Sequence, residues 1–205
     1  ALAHIRQAAD RVAHLSSQLL VLARSEASQG SVQELRPLDL VTVARDTCLE
    51  WAPDALEHGM ELAFDAPEEP VHIRGDPILL GELLGNLLDN AIRYGRTPGH
   101  IVVTVRANPA PALDITDDGP GLNPAEAAKV LERFYRVPGS PGDGCGLGLA
   151  IVKEIAGLHQ AGLRIGPADI GGARVELNFP GQPPPSALVE EPAKPDSPHE
   201  KSRRR

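Results

Sequence analysis

Cysteine is scarce. The 205 residues hold two, Cys48 and Cys145, which match neither a disulfide framework nor a metal-ligand spacing. Both read as ordinary reduced thiols, which suits a reducing compartment. Aromatic residues make up only 3% of the chain, so aliphatic side chains must fill any interior; at 41% hydrophobic there are enough of them. No run of 18 apolar residues occurs, so no segment reads as a membrane-spanning helix. Positive charge is also in deficit: 20 Lys and Arg against 28 Asp and Glu leave a net −8. A general nucleic-acid binder would show a basic face, so that class is not expected. There is neither an initiator methionine nor a signal peptide, and the chain reads as a fragment or a processed form. Its length allows one sizeable domain and a small appendage.

What is present is concentrated in one stretch, Gly81-Glu82-Leu83-Leu84-Gly85-Asn86-Leu87-Leu88-Asp89-Asn90-Ala91-Ile92-Arg93-Tyr94. Leu80, Leu84, Leu87 and Ala91 recur at helical spacing and predict a core-facing stripe. Asn86, Asn90 and Arg93 form a second stripe beside it, which suggests a cleft edge. Amide oxygens are neutral hard ligands for Mg²⁺, and a guanidinium takes phosphate oxygens. Taken alone, two incidental asparagines on a core helix explain the stripe equally well. Two glycine-rich stretches follow, Asp117-Asp118-Gly119-Pro120-Gly121 and Gly144-Cys145-Gly146-Leu147-Gly148-Leu149-Ala150, with Glu132-Arg133-Phe134-Tyr135-Arg136 between them.

This ordered set resembles the catalytic ATP-binding domain of bacterial sensor histidine kinases, in the GHKL superfamily. The four stretches correspond to its N box, first glycine box, F box and second glycine box. The resemblance covers residues 1 to about 180, and residues 36 to 95 look most like the tricarboxylate- or quorum-type subgroup. It implies an α/β (α+β) two-layer sandwich, a mixed β-sheet covered by helices on one face, preceded by a coiled-coil-like helix. It implies ATP and Mg²⁺ as ligands, and phosphoryl transfer to a histidine for relay to a response-regulator aspartate.

Residues 1–27 carry an a/d heptad seam, with Ile5, Val12 and Leu19 seven apart and Leu2, Ala8, Leu15 and Leu22 completing it. By resemblance this is the second helix of the dimerisation hairpin, pairing in a homodimer; a helix folded back on its own domain is the alternative. His4 and His14 lack the acidic neighbour of a phosphoacceptor, so the histidine-bearing hairpin helix is expected outside this chain. Residues 28–38 read as a linker, 39–180 as the catalytic domain and 181–205 as a disordered tail. Within the domain, Asp39 caps a helix to about His58 that Pro53 should break or kink. Asp76 with Pro77 opens the central helix and Gly95 ends it. Strands are expected near 60–64, 71–74, 101–105, 112–116, 162–165 and 174–179, helices over 123–131 and 147–158, and a mobile lid over 132–146.

From the residues alone, Asp117 is a turn-capping carboxylate before Gly119. By resemblance it accepts a hydrogen bond from the adenine amino group, beside Gly119 and Gly121. Asn90 is then the Mg²⁺ ligand, with Asn86, Arg93 and Tyr94 assisting around the phosphates. Gly144, Gly146 and Gly148 let amides approach phosphate at a helix start, and Leu147 and Leu149 pack that start against the sheet. Phe134 anchors the lid by burial, and Arg133 or Arg136 stabilises the transferring phosphoryl charge. Gyrase-type, chaperone and mismatch-repair ATPases of this fold place a water-activating glutamate one turn before the metal asparagine. Here that position is Asn86, which cannot act as a base. An ATP hydrolase of the same fold and a non-enzymatic dimerisation module are the rival readings. The chain is expected to form a cytoplasmic region of an inner-membrane sensor.

Overall fold

A computed structural model describes residues 35–127, 129–138 and 145–181. The heptad helix over 1–27, Gly144 and the tail from 182 onward lie outside the described residues.

The element order is β1 (Arg36–Asp39), α1 (Leu40–Glu57), β2 (Met60–Asp65), β3 (His72–Gly75), α2 (Pro77–Tyr94), β4 (Gly99–Arg106), β5 (Ala112–Asp117), α3 (Pro124–Ala127), a 3₁₀ turn (Lys129–Leu131), α4 (Gly148–Leu158), β6 (Gly162–Pro167) and β7 (Ala173–Asn178). The main sheet runs β2-β4-β5-β7-β6. It is mixed: β2 and β4 pair parallel, with Met60 opposite Gly99, and the other pairs are antiparallel. A two-stranded sheet, β1 against β3, sits apart. This is the two-layer α+β architecture that the sequence implies.

Alternation on β4 shows how the layers divide. Ile101, Val103 and Val105 are buried, while on the alternate face His100 is exposed and Val102, Thr104 and Arg106 are half-buried. On that outer face Asp114 is 4% exposed, yet paired: Arg106 approaches at 2.6 Å and Arg174 at 2.9 Å. A buried charge needs such partners.

The helical layer has α2 in its middle, touching α1 on one side and α4 on the other. That placement corrects the expectation of a single apolar stripe. Leu79, Leu83, Leu88 and Ile92 are buried along with Leu80, Leu84, Leu87 and Ala91, because a helix flanked on both sides hides most of its circumference. Its start is fixed as expected: the Asp76 carboxylate accepts the N–H groups of Ile78 and Leu79, and Pro77 occupies the first turn. A further tie comes from His159, 2% exposed at the end of α4. Its Nε2 accepts the Asp76 N–H at 3.0 Å and its Nδ1 donates to the Ile155 carbonyl at 2.8 Å. Burial holds the imidazole below its ordinary pKa, so it stays neutral.

Three local expectations change. The end of the stretch that reads as linker forms β1, whose Asp39 caps α1 and also accepts the Val71 N–H at 2.9 Å. Burial pushes the Asp39 carboxyl up, but the Thr42 hydroxyl and the Val71, Val41 and Thr42 amides outweigh it and hold the pKa below the usual range. Helix α1 continues through Pro53 instead of breaking. The carbonyl left without its partner belongs to Leu49, which lies on an exposed face where water can satisfy it. Beyond Asn123 the helix is only one turn, then the 3₁₀ turn, with Val130 buried.

Candidate active site

Two asparagines of α2 meet the first turn of α4. A Cβ added at Gly148 would lie 3.3 Å from Asn86 Oδ1 and 3.5 Å from Asn90 Nδ2, so only glycine lets the α4 N-terminus come this close to the pair without crowding it. Asn86 is 2% exposed and its Nδ2 donates to the Glu82 carbonyl at 2.8 Å. Asn90 is different: its Nδ2 is buried and has no hydrogen-bond partner among the described residues. A buried amide end left unmet in the free protein, facing a helix N-terminus, fits a ligand that supplies the missing contact. The residues present therefore suit Mg²⁺-bound phosphate, since an Asn amide turned by a half-rotation offers its oxygen.

Farther along α2, the β5 end comes in against the helix terminus. A Cβ at Gly119 would be 3.1 Å from the Tyr94 carbonyl and 3.2 Å from Gly95 Cα. Asn90 and Tyr94 are four residues apart, about 6 Å of helix rise. The asparagine pair and the Asp117 turn thus line one side of the same helix end, at a spacing that a nucleotide can bridge.

The Asp117 carboxylate is held on one oxygen. Its Oδ1 accepts the N–H of Gly119 at 2.8 Å and of Ala173 at 3.3 Å, while Oδ2 has no hydrogen bond among the described residues. Burial raises the Asp117 pKa, the two amides oppose this, and neighbouring Asp118 adds to it. An oriented acceptor in a half-buried slot is what discriminates an amino group from a carbonyl. Asp118 is turned elsewhere, with Oδ2 at 3.1 Å from His100 Nδ1.

Gly172, which sequence reasoning passed over, builds this slot. Its φ is +70°, and an added Cβ would stand 2.5 Å from Asp117 Oδ1 and from the Gly119 nitrogen. The backbone of the β6–β7 turn therefore lies directly on the carboxylate. Gly121 completes the contact, its would-be Cβ meeting the Gly172 carbonyl at 2.8 Å. The signal available in sequence was the Gly171-Gly172 pair ahead of the last strand, which reads as a generic turn.

The remaining residues are placed less uniformly. Leu147 is 5% exposed and Leu149 packs against the core, as expected of the α4 start. Gly146 has φ +70° and lies against the Phe134–Tyr135 backbone, whose Phe134 N–H donates to the Gly146 carbonyl at 2.9 Å. Phe134 itself is not buried: it is 72% exposed, which corrects the expectation that it anchors the lid. Its φ of +66° belongs to a tight backbone turn that sends the ring outward, and buried Val130 beside α4 holds this stretch down instead. Arg133 reaches Glu154 on α4 at 3.3 Å, and Arg93 Nε donates to Asp89 at 2.7 Å. Arg136 is exposed in the same stretch and Tyr94 is half-buried.

The mixed sheet under one helical layer, with its cleft between α2, the α4 N-terminus and the β5 end, defines a nucleotide-binding ATPase fold, and the comparisons agree. The chain belongs to the Histidine kinase-, DNA gyrase B-, and HSP90-like ATPase family, matched over residues 75–183. Sensor protein QseC of Escherichia coli (strain K12) is 34% identical over 179 residues, which is 87% of this chain and 39% of that protein. The solved Mycobacterial sensor histidine kinase MprB is 33% identical with a TM-score of 0.62, covering 73% of this chain and 99% of that one. Full-length ShkA, solved in complex with AMPPNP, is 25% identical with a TM-score of 0.68, covering 88% of this chain and 39% of that one. This chain therefore carries the ATP-binding catalytic domain of a bacterial sensor histidine kinase, and it spans about two fifths of the length of the curated relatives it matches. No helix among the described residues is long and apolar enough to cross a membrane.

Proposed function

We propose that the chain binds ATP in this cleft and transfers its γ-phosphoryl group to a histidine on a hairpin helix, for relay to a response-regulator aspartate. The observation that carries this reading is the unmet Asn90 amide, buried against the start of α4. Asp117 Oδ2 takes the adenine amino group, and Gly119, Gly121 and Gly172 shape the slot around it. Asn90 would hold Mg²⁺, and Asn86 and Tyr94 border the phosphates. A bound Mg²⁺ supplies charge neutralisation to the phosphate oxygens. The amides of Gly146 and Gly148, with the α4 dipole, favour the same anion, and Gly144 extends that role. Arg93 leaves Asp89 to meet phosphate, and Arg133 or Arg136 follows the charge on the departing group.

In the transfer, an imidazole nitrogen forms the new N–P bond as the γ-phosphoryl's bond to ADP breaks. The imidazole is already nucleophilic, so positioning and charge stabilisation are the protein's main tasks. Asn86 supports transfer over hydrolysis, because an amide cannot deprotonate water. In the whole protein, residues 1–27 would pair in a homodimer on the cytoplasmic side of a membrane sensor, with no nucleic-acid partner.

The test mixes this chain with a separate histidine-bearing hairpin, γ-labelled ATP and Mg²⁺. Acid-labile label on the hairpin with little free phosphate is expected. Phosphate release without label would establish a hydrolase instead. Neither signal, with ATP binding intact, would leave a nucleotide-binding module.

A further inference from the structure

On the far side of α2 from α4, an open groove of about 480 Å³ runs between α1 and α2. Its apolar surface comes from Val43, half-buried Trp51, Pro77 and Ile78, the last 69% exposed. Three carboxylates edge it: Asp46, Glu50 and Glu82. None has an ion-pair or hydrogen-bonded side-chain partner among the described residues. They do not converge on a point, since no group of three acidic, His or Cys side chains among the described residues could hold a metal ion. The site fits an extended cationic segment better than a single ion.

Two glycines on α2 face this groove, and they differ. Gly85 is favoured by packing, since an added Cβ would crowd Trp51 Nε1 at 3.2 Å. Gly81 is not: the nearest atom to its Cβ would be Thr47 Oγ1 at an ordinary 3.6 Å. A glycine inside a helix costs about 1 kcal/mol against alanine. The domain's own packing does not require that cost at Gly81, which keeps the groove floor bare.

The chain holds one segment of matching chemistry. Lys201-Ser202-Arg203-Arg204-Arg205 is the densest positive run in a sequence of net charge −8. Lys201 follows Gly181, the last described residue, by 20 positions. Such a span reaches at most about 70 Å fully extended and about 25 Å as a random coil, enough to reach either face of a domain this size. Tethering places the run at an effective concentration of order mM, where a weak charged site can fill. Guanidinium groups also stack on tryptophan faces. We propose that the α1–α2 groove docks the basic run Lys201–Arg205 of the same chain, with the arginines on Asp46, Glu50 and Glu82 and one stacked at Trp51. Asn86 lines this groove and also meets Gly148 at the start of α4, so the docked run would sit one side chain from that cleft. The proposal stands independently of the nucleotide reading.

Trp51 is the sole tryptophan, so its fluorescence reports on the groove directly. Acrylamide quenching is measured on the full chain, on a variant with Arg203, Arg204 and Arg205 all changed to Ser, and on a groove variant carrying Asp46→Asn, Glu50→Gln and Glu82→Gln. Far-UV circular dichroism checks that each is folded. At low salt the tail variant should quench roughly two-fold more steeply than the wild type, as for a tethered site occupied most of the time. About 0.5 M salt should bring the wild type to the same value, since screening then acts over a few Å. In the groove variant the tail substitutions should have no further effect, and pairing Glu50→Arg with Arg204→Glu should restore shielding. Identical quenching of wild type and tail variant would overturn the proposal. A tail effect that persists in the groove variant would place the run elsewhere, and shielding that grows with protein concentration would mean docking between copies, so either also overturns it.

Discussion

Gly172→Ala should weaken ATP binding, and its neighbour provides the control. An added Cβ at Gly172 would stand 2.5 Å from Asp117 Oδ1 and from the Gly119 nitrogen, about 1 Å inside ordinary contact. The Gly119 nitrogen, and the Asp117 carbonyl oxygen that the Cβ would also meet, are backbone atoms that cannot swing aside, so the β6–β7 turn must withdraw. Withdrawal stretches the Ala173 N–H bond to Asp117, already 3.3 Å, and frees the carboxylate to rotate. A hydrogen bond to a charged group contributes about 1.5–3 kcal/mol, which predicts roughly ten- to hundred-fold weaker ATP binding if Asp117 loses its orientation. Gly171 also has positive φ, +89°, but nothing lies within 4 Å of its Cβ position. Alanine there incurs only the left-handed backbone strain of about 1–2 kcal/mol, so Gly171→Ala should lower stability with ATP affinity unchanged. Calorimetric titration with ATP and GTP, beside urea melts, separates the two effects. Discrimination against GTP should also fall in Gly172→Ala. Equal ATP affinity in the two variants would refute the clamp.

Asn90→Ala should abolish most of the Mg²⁺ dependence of ATP binding, by about ten-fold or more, while metal-free binding barely changes; Mg²⁺ titrations against fixed ATP read this without any transfer assay. Phe134→Ala should move the urea midpoint little, within about 0.5 kcal/mol, because the ring is 72% exposed, and a large destabilisation would restore the anchoring role that the sequence suggested. His159 should make stability pH-dependent. Its folded pKa lies below 6.5, so its contribution is intact above that pH; as pH falls the unfolded chain takes the proton first, and stability drops by up to ~1.4 kcal/mol per pH unit until the folded pKa is passed. His159→Gln should flatten that slope in urea melts at pH 7.5 and 5.5, run under conditions that leave the other histidines in place, and parallel slopes would count against it.

The elements fixed by local chemistry were legible. Asp76-Pro77 and Gly95 bracket α2 because capping and proline geometry are settled within a few residues. The four motifs could be read because glycine and asparagine spacing carries over directly into who meets whom: Gly148 does lie on Asn86 and Asn90. What depended on distant contacts was not legible. Strand β1 is four residues long and exists by pairing with β3, so its stretch looked like linker. The outward turn of Phe134 follows from a backbone angle that residue type does not encode. His159 reads as an unremarkable histidine after a helix, and only the fold brings Asp76 to it. Gly172 gains its meaning from Asp117, a strand away.

Helix α2 carries both fold and site, and the two uses make opposite demands on it. Its leucines are 0–3% exposed and leave no polar atom to satisfy. Asn86 is tolerated there because its amide donates back to the Glu82 carbonyl. Asn90 finds no such internal partner, and an unmet buried polar group costs about 1–3 kcal/mol. A helix selected for packing alone would place an apolar residue at that position. The uncompensated amide is stability given up in the free protein and offset when a ligand arrives, which is why the position argues for binding more strongly than any satisfied residue around it.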